Sequence, residues 1–291
     1  MPSDPILRTR RFHRAVTTEA GVLDTSFLGR GRPLGPARVL NAIGHGMHDV
    51  GEIRAYLRLD SGLMSRLLRG LEEEDLITVT PSEEDGRRRE ARLTEAGLTE
   101  FAEYERLSDI QAQEIVARHP NPDMLLNAMD IVATALGWDR VAVEEVPPSD
   151  PRARACLEEY YAELGRRFRS GFDVTLSADP DASDMTAPRG AFLIALCDGM
   201  PIGCVGLKGT DKGYFEIKRL WVAPSARGMG LAGRLMDAVE TRAAALGGTL
   251  LRLDTNSALP EAVAFYRKRG WREIERFNED PYPDFFFELE I

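Results

Sequence analysis

Leu220-Trp221-Val222-Ala223-Pro224-Ser225-Ala226-Arg227-Gly228-Met229-Gly230-Leu231-Ala232 is the stretch on which the reading of this chain turns. It runs from an apolar strand through a tight turn into the start of an amphipathic helix. Glycine at such a junction lets the backbone come close to a ligand. The first N–H groups of a helix have no partner inside it, and the helix dipole adds partial positive charge at the same end. A pyrophosphate suits that spot, and Arg227 adds a charge-assisted contact. A bare Gly-x-Gly is weak by itself, because a tight loop before a surface helix looks the same.

Outward from this turn, β and α segments alternate from Trp138 to the C-terminus. Strands are expected at 141–143, 191–197, 202–208, 214–222 and 250–254, and helices at 153–168, 228–246 and 260–269. Residues 173–190, rich in Asp, Ser, Ala and Pro, read as a loop. A dinucleotide-binding fold fits less well, since the glycine turn comes late in the domain and not in an opening βαβ unit.

Before Trp138 the pattern is helical, broken once by a short hairpin. Val39, Leu40, Ile43 and Met47 share a helical face in 36–47, and a second helix covers 50–59. Asp60 and Ser61 supply N-cap chemistry for a third, in which Leu63, Met64, Leu67, Leu68 and Leu71 form an apolar stripe that leaves Arg66 and Arg69 outside. Residues 76–80 and 87–93 form a hairpin with a charged tip, and helices follow at 94–118 and 123–136.

A chain of 291 residues accommodates two domains, each with its own core. The net charge of -10 argues against a bulk electrostatic grip on nucleic acid or anionic membrane, though a local basic patch can still provide one. Cys156, Cys197 and Cys204 are odd in number and lack a Cys-x-x-Cys pair, so neither a disulfide framework nor a zinc site is indicated. His45 and His48 lack an acidic or thiol cluster beside them, and no metal is expected. No apolar stretch has the length of a signal peptide or membrane span, so the expectation is a soluble cytoplasmic protein.

Arg227-x-x-Gly230-x-Ala232 after a strand, followed by Ala262-Val263-Ala264-Phe265-Tyr266-Arg267-Lys268-Arg269-Gly270-Trp271, resembles the GNAT acetyltransferase family over residues 138–291. The resemblance implies an α/β fold whose mixed, V-shaped sheet receives the pantetheine arm of acetyl-CoA. Backbone groups around Leu220, Trp221 and Val222 would align that arm, and Arg227, Gly228, Met229, Gly230, Leu231 and Ala232 would hold its phosphates. Tyr266 falls where the family often has the acid that protonates the departing thiolate; a core or cofactor-stacking tyrosine is the alternative. An acceptor amine must lose a proton before it attacks, so a carboxylate is useful nearby. Glu216 is the candidate, because two-residue alternation puts it on one face with Lys218, Leu220 and Val222. An ion-paired strand glutamate would read the same way. Arg219 can pair with a substrate carboxylate or with a neighbouring side chain, and Asn256 can contact the cofactor.

The run from Asp60 to Ile77, with Asp85-Gly86-Arg87-Arg88-Arg89 and Leu93-Thr94-Glu95-Ala96-Gly97, resembles the MarR family of winged-helix regulators over residues 1–137. By that resemblance Ser61, Ser65, Arg66 and Arg69 face double-stranded DNA from a recognition helix, Arg87, Arg88 and Arg89 form the wing, and Asp85 orients a wing arginine. It also implies a homodimer joined by residues 5–20 and 95–136. The expectation is therefore two domains, a mostly α winged helix-turn-helix at 1–137 and an α/β GNAT fold at 138–291. Function would join DNA-binding regulation to acetyl transfer onto a small-molecule amine, with a protein lysine as rival acceptor. Two alternatives stay open: a catalytically silent sensor of acyl-CoA or amine, and an enzyme whose N-terminal half only dimerises.

Overall fold

The computed structural model describes residues 4–83, 85–169, 171–176, 179 and 182–291. They form two compact units, the first ending at Pro122 and the second beginning at Asp123.

In the first unit, α1 (Pro5–Glu19), α2 (Leu34–Gly44), α3 (Val50–Tyr56) and α4 (Ser61–Glu73) precede an antiparallel pair, β1 (Ile77–Pro81) and β2 (Arg89–Leu93), and α5 (Glu95–Ala117) follows. The caps are those the residues demand. Asp49 Oδ1 accepts the Glu52 N–H, Asp60 Oδ1 that of Leu63, and Thr94 Oγ1 that of Gly97. Each such cap contributes about 1 kcal/mol. Met64, Leu68 and Leu71 of α4 join Val39, Leu40, Ile43 and Ile53 in one core, while Ser61, Ser65, Arg66 and Arg69 stay exposed. Gly97 has a steric cause: a Cβ there would lie 1.9 Å from the Leu76 carbonyl oxygen, so only glycine lets α5 start against that backbone.

The second unit opens with α6 (Pro122–Gly137) and is built on a seven-stranded mixed sheet. Its strands are β3 (Ala142–Glu145), β4 (Ala191–Cys197), β5 (Met200–Gly209), β6 (Phe215–Val222), β7 (Leu250–Thr255), β8 (Arg272–Glu273) and β9 (Phe285–Glu290), in the order β3-β4-β5-β6-β7-β9-β8. Helices α7 (Pro151–Arg167) and α8 (Leu231–Ala245) pack on β5, and α9 (Pro260–Lys268) follows β7. Every residue of β4 is buried. Neighbouring strands are antiparallel except β6 and β7, which α8 connects and which therefore run parallel.

Strands β8 and β9 lie beyond the elements expected from periodicity. Phe286 and Phe287 are adjacent and both buried, so β9 lacks the two-residue alternation that marks a half-exposed strand. Among the described residues no helix is long and apolar enough to cross a membrane.

Candidate active site

Two irregularities open the sheet. Pairing of β6 with β7 covers Phe215↔Leu251, Glu216↔Arg252 and Ile217↔Leu253 and ends there, so the strands part beyond Ile217. On its other side β6 matches Cys204 with Trp221 and Gly206 with Lys218, which leaves one extra residue in β6. That bulge contains Arg219 at φ 57°, a left-handed conformation costly for a non-glycine residue and typical of functional sites. It also corrects the expected alternation. Leu220 and Val222 border the opening, whereas Glu216 borders neither cavity described below.

The larger cavity is a groove of about 510 Å³. Its walls include Leu220, Trp221 and Val222 of β6, the turn Arg227, Gly228 and Gly230, the first turn of α8 at Leu231 and Ala232, and Phe265 and Tyr266 of α9. Gly230 is the N-cap of α8 at φ 87°, a conformation glycine adopts without the steric cost of a side chain, so the free N–H groups of the first turn meet the groove. Arg227 is turned inward: its Nε donates to the Val222 carbonyl at 3.0 Å and its Nη2 to Glu163 Oε2 at 2.5 Å. Met229 borders neither cavity.

The smaller cavity, of about 120 Å³, lies beyond the parted strands and shares Tyr160, Leu220 and Tyr266 with the groove. Tyr266 is 6% exposed, and its hydroxyl makes no hydrogen bond to any described residue. Burial, reinforced by the nearby Asp254 charge, pushes its phenol above the ordinary value, so it stays protonated. Lys218 projects Nζ to 2.5 Å from Asp254 Oδ2, with Glu216 at 3.7 Å and Asp280 at 3.8 Å. Burial opposes that charge, yet Asp254, Glu216 and Asp280 outweigh it and hold the ammonium above the usual lysine value of 10.5. Asn278 Nδ2 also donates to Asp254, at 2.6 Å. The rings of Phe172 and Tyr282 stand 4.8 Å apart on the cavity wall, with Tyr161 and Phe168 beside them.

Arg219 borders this cavity, but its Nη2 donates to the Asp179 carbonyl and its guanidinium lies 5.7 Å from the Tyr161 ring centre. Asn256 borders the same cavity and not the groove; its Oδ1 accepts the Ala258 N–H and its Nδ2 donates to the Tyr282 carbonyl. Asp254, Lys218, Glu163 and Tyr160 were not singled out from sequence. Asp254 could have been found from its place at the C-terminal end of a strand, just ahead of Asn256.

On the first unit, Arg66 and Arg69 project from α4 and form no ion pair with any described residue. Arg87 and Arg89 are exposed on the hairpin. Arg88 behaves differently, binding Asp49 and Glu52 at 2.8 Å each and so tying the hairpin to α3. Asp85 Oδ1 accepts the Arg87 backbone N–H, which orients the turn and not a guanidinium. His45 Nε2 stands 3.3 Å from Glu105.

Residues 129–271 match the acetyltransferase (GNAT) family, and residues 31–88 match the MarR family. An IAA acetyltransferase of Azospirillum brasilense is 36% identical over 106 residues, covering 36% of this chain and 68% of that protein. An uncharacterised N-acetyltransferase of Schizosaccharomyces pombe is 31% identical over 151 residues, covering 50% of this chain and 89% of its own. A solved GNAT-family acetyltransferase from Staphylococcus aureus Mu50 aligns at TM-score 0.46 and 19% identity, covering 52% of this chain and 98% of its own. The chain thus belongs to the GNAT acetyltransferases, with a MarR-family domain fused ahead of the acetyltransferase domain.

Proposed function

We propose that the second unit transfers the acetyl group of acetyl-CoA to a small amine and that the first unit binds double-stranded DNA as a homodimer. The meeting of two cavities at Leu220 and Tyr266 carries the catalytic reading. Bound acetyl-CoA supplies an activated thioester. The first-turn N–H groups of α8 and Arg227 hold its phosphates, and backbone groups at Leu220 and Val222 align the arm. Tyr266, kept protonated, gives its hydroxyl proton to the leaving thiolate, and of the two protons the acceptor ammonium sheds, one passes to solvent before attack and one restores the tyrosine afterwards. Glu216 borders neither cavity, and its part is to pair with Lys218, 3.7 Å away, without touching the acceptor. The size of the inner cavity favours a small acceptor over a protein surface, since pockets for drug-sized ligands run to about 300–1,000 Å³.

The exposed arginines of α4 and the hairpin support the DNA reading, with phosphate contacts from Arg66, Arg69, Arg87 and Arg89 and base-edge contacts from the α4 face that carries Ser61 and Ser65. Helix α1 exposes Ile6, Leu7, Phe12 and Val16, an apolar surface a second copy would cover.

Calorimetry of acetyl-CoA binding to the intact protein and to Arg227→Glu, followed by CoA release across an amine panel, tests the catalytic reading. Binding lost in the variant, with amine-dependent release in the parent, is the expected result. Binding without turnover on any amine would favour the sensor, and no binding would overturn both.

A further inference from the structure

We infer that Asp254 is the carboxylate that receives the acceptor amine, as its ammonium ion, and that Lys218 yields the position to it. This rests on the acetyltransferase reading of the same site and names the group in it that recognises the substrate.

The placement comes from the sheet. Ile217 and Leu253 are the last partners of β6 and β7, so Lys218 and Asp254 are the first residues past the split. Both border the inner cavity together with Tyr266, which also borders the groove. An acceptor must bring its nitrogen to that junction to meet a thioester arriving from the groove. Asp254 is close enough to Tyr266 for its charge to raise the phenol, and close enough to Tyr160 to contribute to the rise there.

Lys218 shows what this carboxylate binds. Its Nζ is a primary alkylammonium, chemically the same head group as a protonated primary amine, and it sits 2.5 Å from Asp254 Oδ2 inside the cavity. Glu216 and Asp280 wait at 3.7 Å and 3.8 Å from the same Nζ. A shift of about an ångström therefore moves the lysine from one carboxylate to another without leaving it unpaired, and burying an unpaired charge is the step that would otherwise forbid the exchange. Asn278 holds Asp254 in place during the exchange through its own hydrogen bond to Oδ2. The nearly buried Tyr266 hydroxyl, with no partner among the described residues, is the second polar group that such an acceptor would meet.

The role predicts opposite effects for two substitutions. Asp254→Asn removes the charge that binds the ammonium, and the acceptor KM rises by about thirtyfold or more, as for loss of one partner of a buried charge pair. Acetyl-CoA affinity stays within about twofold. Lys218→Gln removes the competitor, and the acceptor KM falls severalfold.

The test measures steady-state kinetics of the full chain with phenethylamine, putrescine and glycinamide, using whichever the parent acetylates fastest, and calorimetry of acetyl-CoA on each variant. Partial recovery of the acceptor KM in Asp254→Glu supports the assignment. An unchanged acceptor KM in Asp254→Asn, or a raised one in Lys218→Gln, overturns it while leaving the acetyltransferase reading intact. If Asp254→Asn does not fold, the sign of the Lys218→Gln effect decides alone. A parent that binds acetyl-CoA but acetylates none of the three amines overturns the inference, and one that binds no acetyl-CoA overturns the underlying reading as well.

Discussion

Glu163 Oε2 accepts hydrogen bonds from both Arg227 Nη2 and the Trp221 indole N–H, at 2.5 Å and 3.1 Å, inside the groove assigned to acetyl-CoA. A carboxylate thus holds the guanidinium proposed to meet the diphosphate of the cofactor. Glu163→Gln should tighten acetyl-CoA binding by about two- to fivefold, the range for a half-exposed ion pair worth up to about 1 kcal/mol. Arg227→Ala should weaken it by about tenfold. Calorimetry at 0.15 M salt checks both signs, and weaker binding in Glu163→Gln would mean that the glutamate shapes the groove and does not compete for Arg227.

Tyr266→Phe removes only a hydroxyl and keeps the ring that packs near Trp271 and Phe287. Turnover should fall by about a hundredfold, within the usual range for losing a general acid, with acetyl-CoA affinity unchanged. Unaltered turnover would leave Tyr266 as a wall of the groove.

Arg66 and Arg69 together changed to alanine should lower the slope of log affinity for duplex DNA against log salt by about two, one per phosphate contact. Arg88→Ala should leave that slope unchanged, because its guanidinium is engaged by Asp49 and Glu52. Fluorescence anisotropy across a salt series separates the two outcomes.

Acid and alkali should act on the two units differently. Arg30, joined by Arg32, holds the Glu100 carboxylate below its ordinary value of 4.5 against the opposing effect of burial. A depressed carboxylate stabilises the fold above its unfolded value, and that contribution is lost as pH falls from about 4.5 through the lower folded value. The first unit should therefore weaken below about pH 4.5, and Glu100→Gln should flatten that dependence. Lys218, raised above 10.5, has the reverse sign: its contribution is complete below 10.5 and is lost as pH rises through the higher folded value. Thermal unfolding followed across pH, with Glu100→Gln and Lys218→Gln beside the parent, tests both directions.

Gly97→Ala should destabilise the first unit by about 2–3 kcal/mol, since the added carbon meets the backbone oxygen of Leu76 and not a movable side chain. A lowered melting temperature of the first unit is the expected result; an unchanged one would show that α5 can shift away from β1.

Much of this protein was legible in one dimension because the relevant physics is local. Asp60 before an apolar stripe of helical period announces the start of α4, and two glycines between a strand and a helix mark a turn suited to an anion, a reading that the later Ala262–Trp271 motif strengthens. Arg227 to Ala232 were found this way and Tyr266 through the family resemblance, and all but Met229 border the groove. Glu216 was placed by extending strand alternation through Arg219, and a single left-handed residue in a bulge undid that extension. Strand β9 escaped notice because burial on both faces erased its alternation.

Sequence alone determined the two families of fold, the order of the main elements, the helix caps and the glycine turn, all of which depend on residues a few positions apart. Only the tertiary structure decided that Asp254 stands 36 residues from the lysine it holds, that Glu163 reaches 64 residues to occupy Arg227, and that two cavities meet at Tyr266. Those relationships arise where β6 and β7 part, and long-range strand pairing, with the bulge that interrupts it, sets which distant side chains share that space.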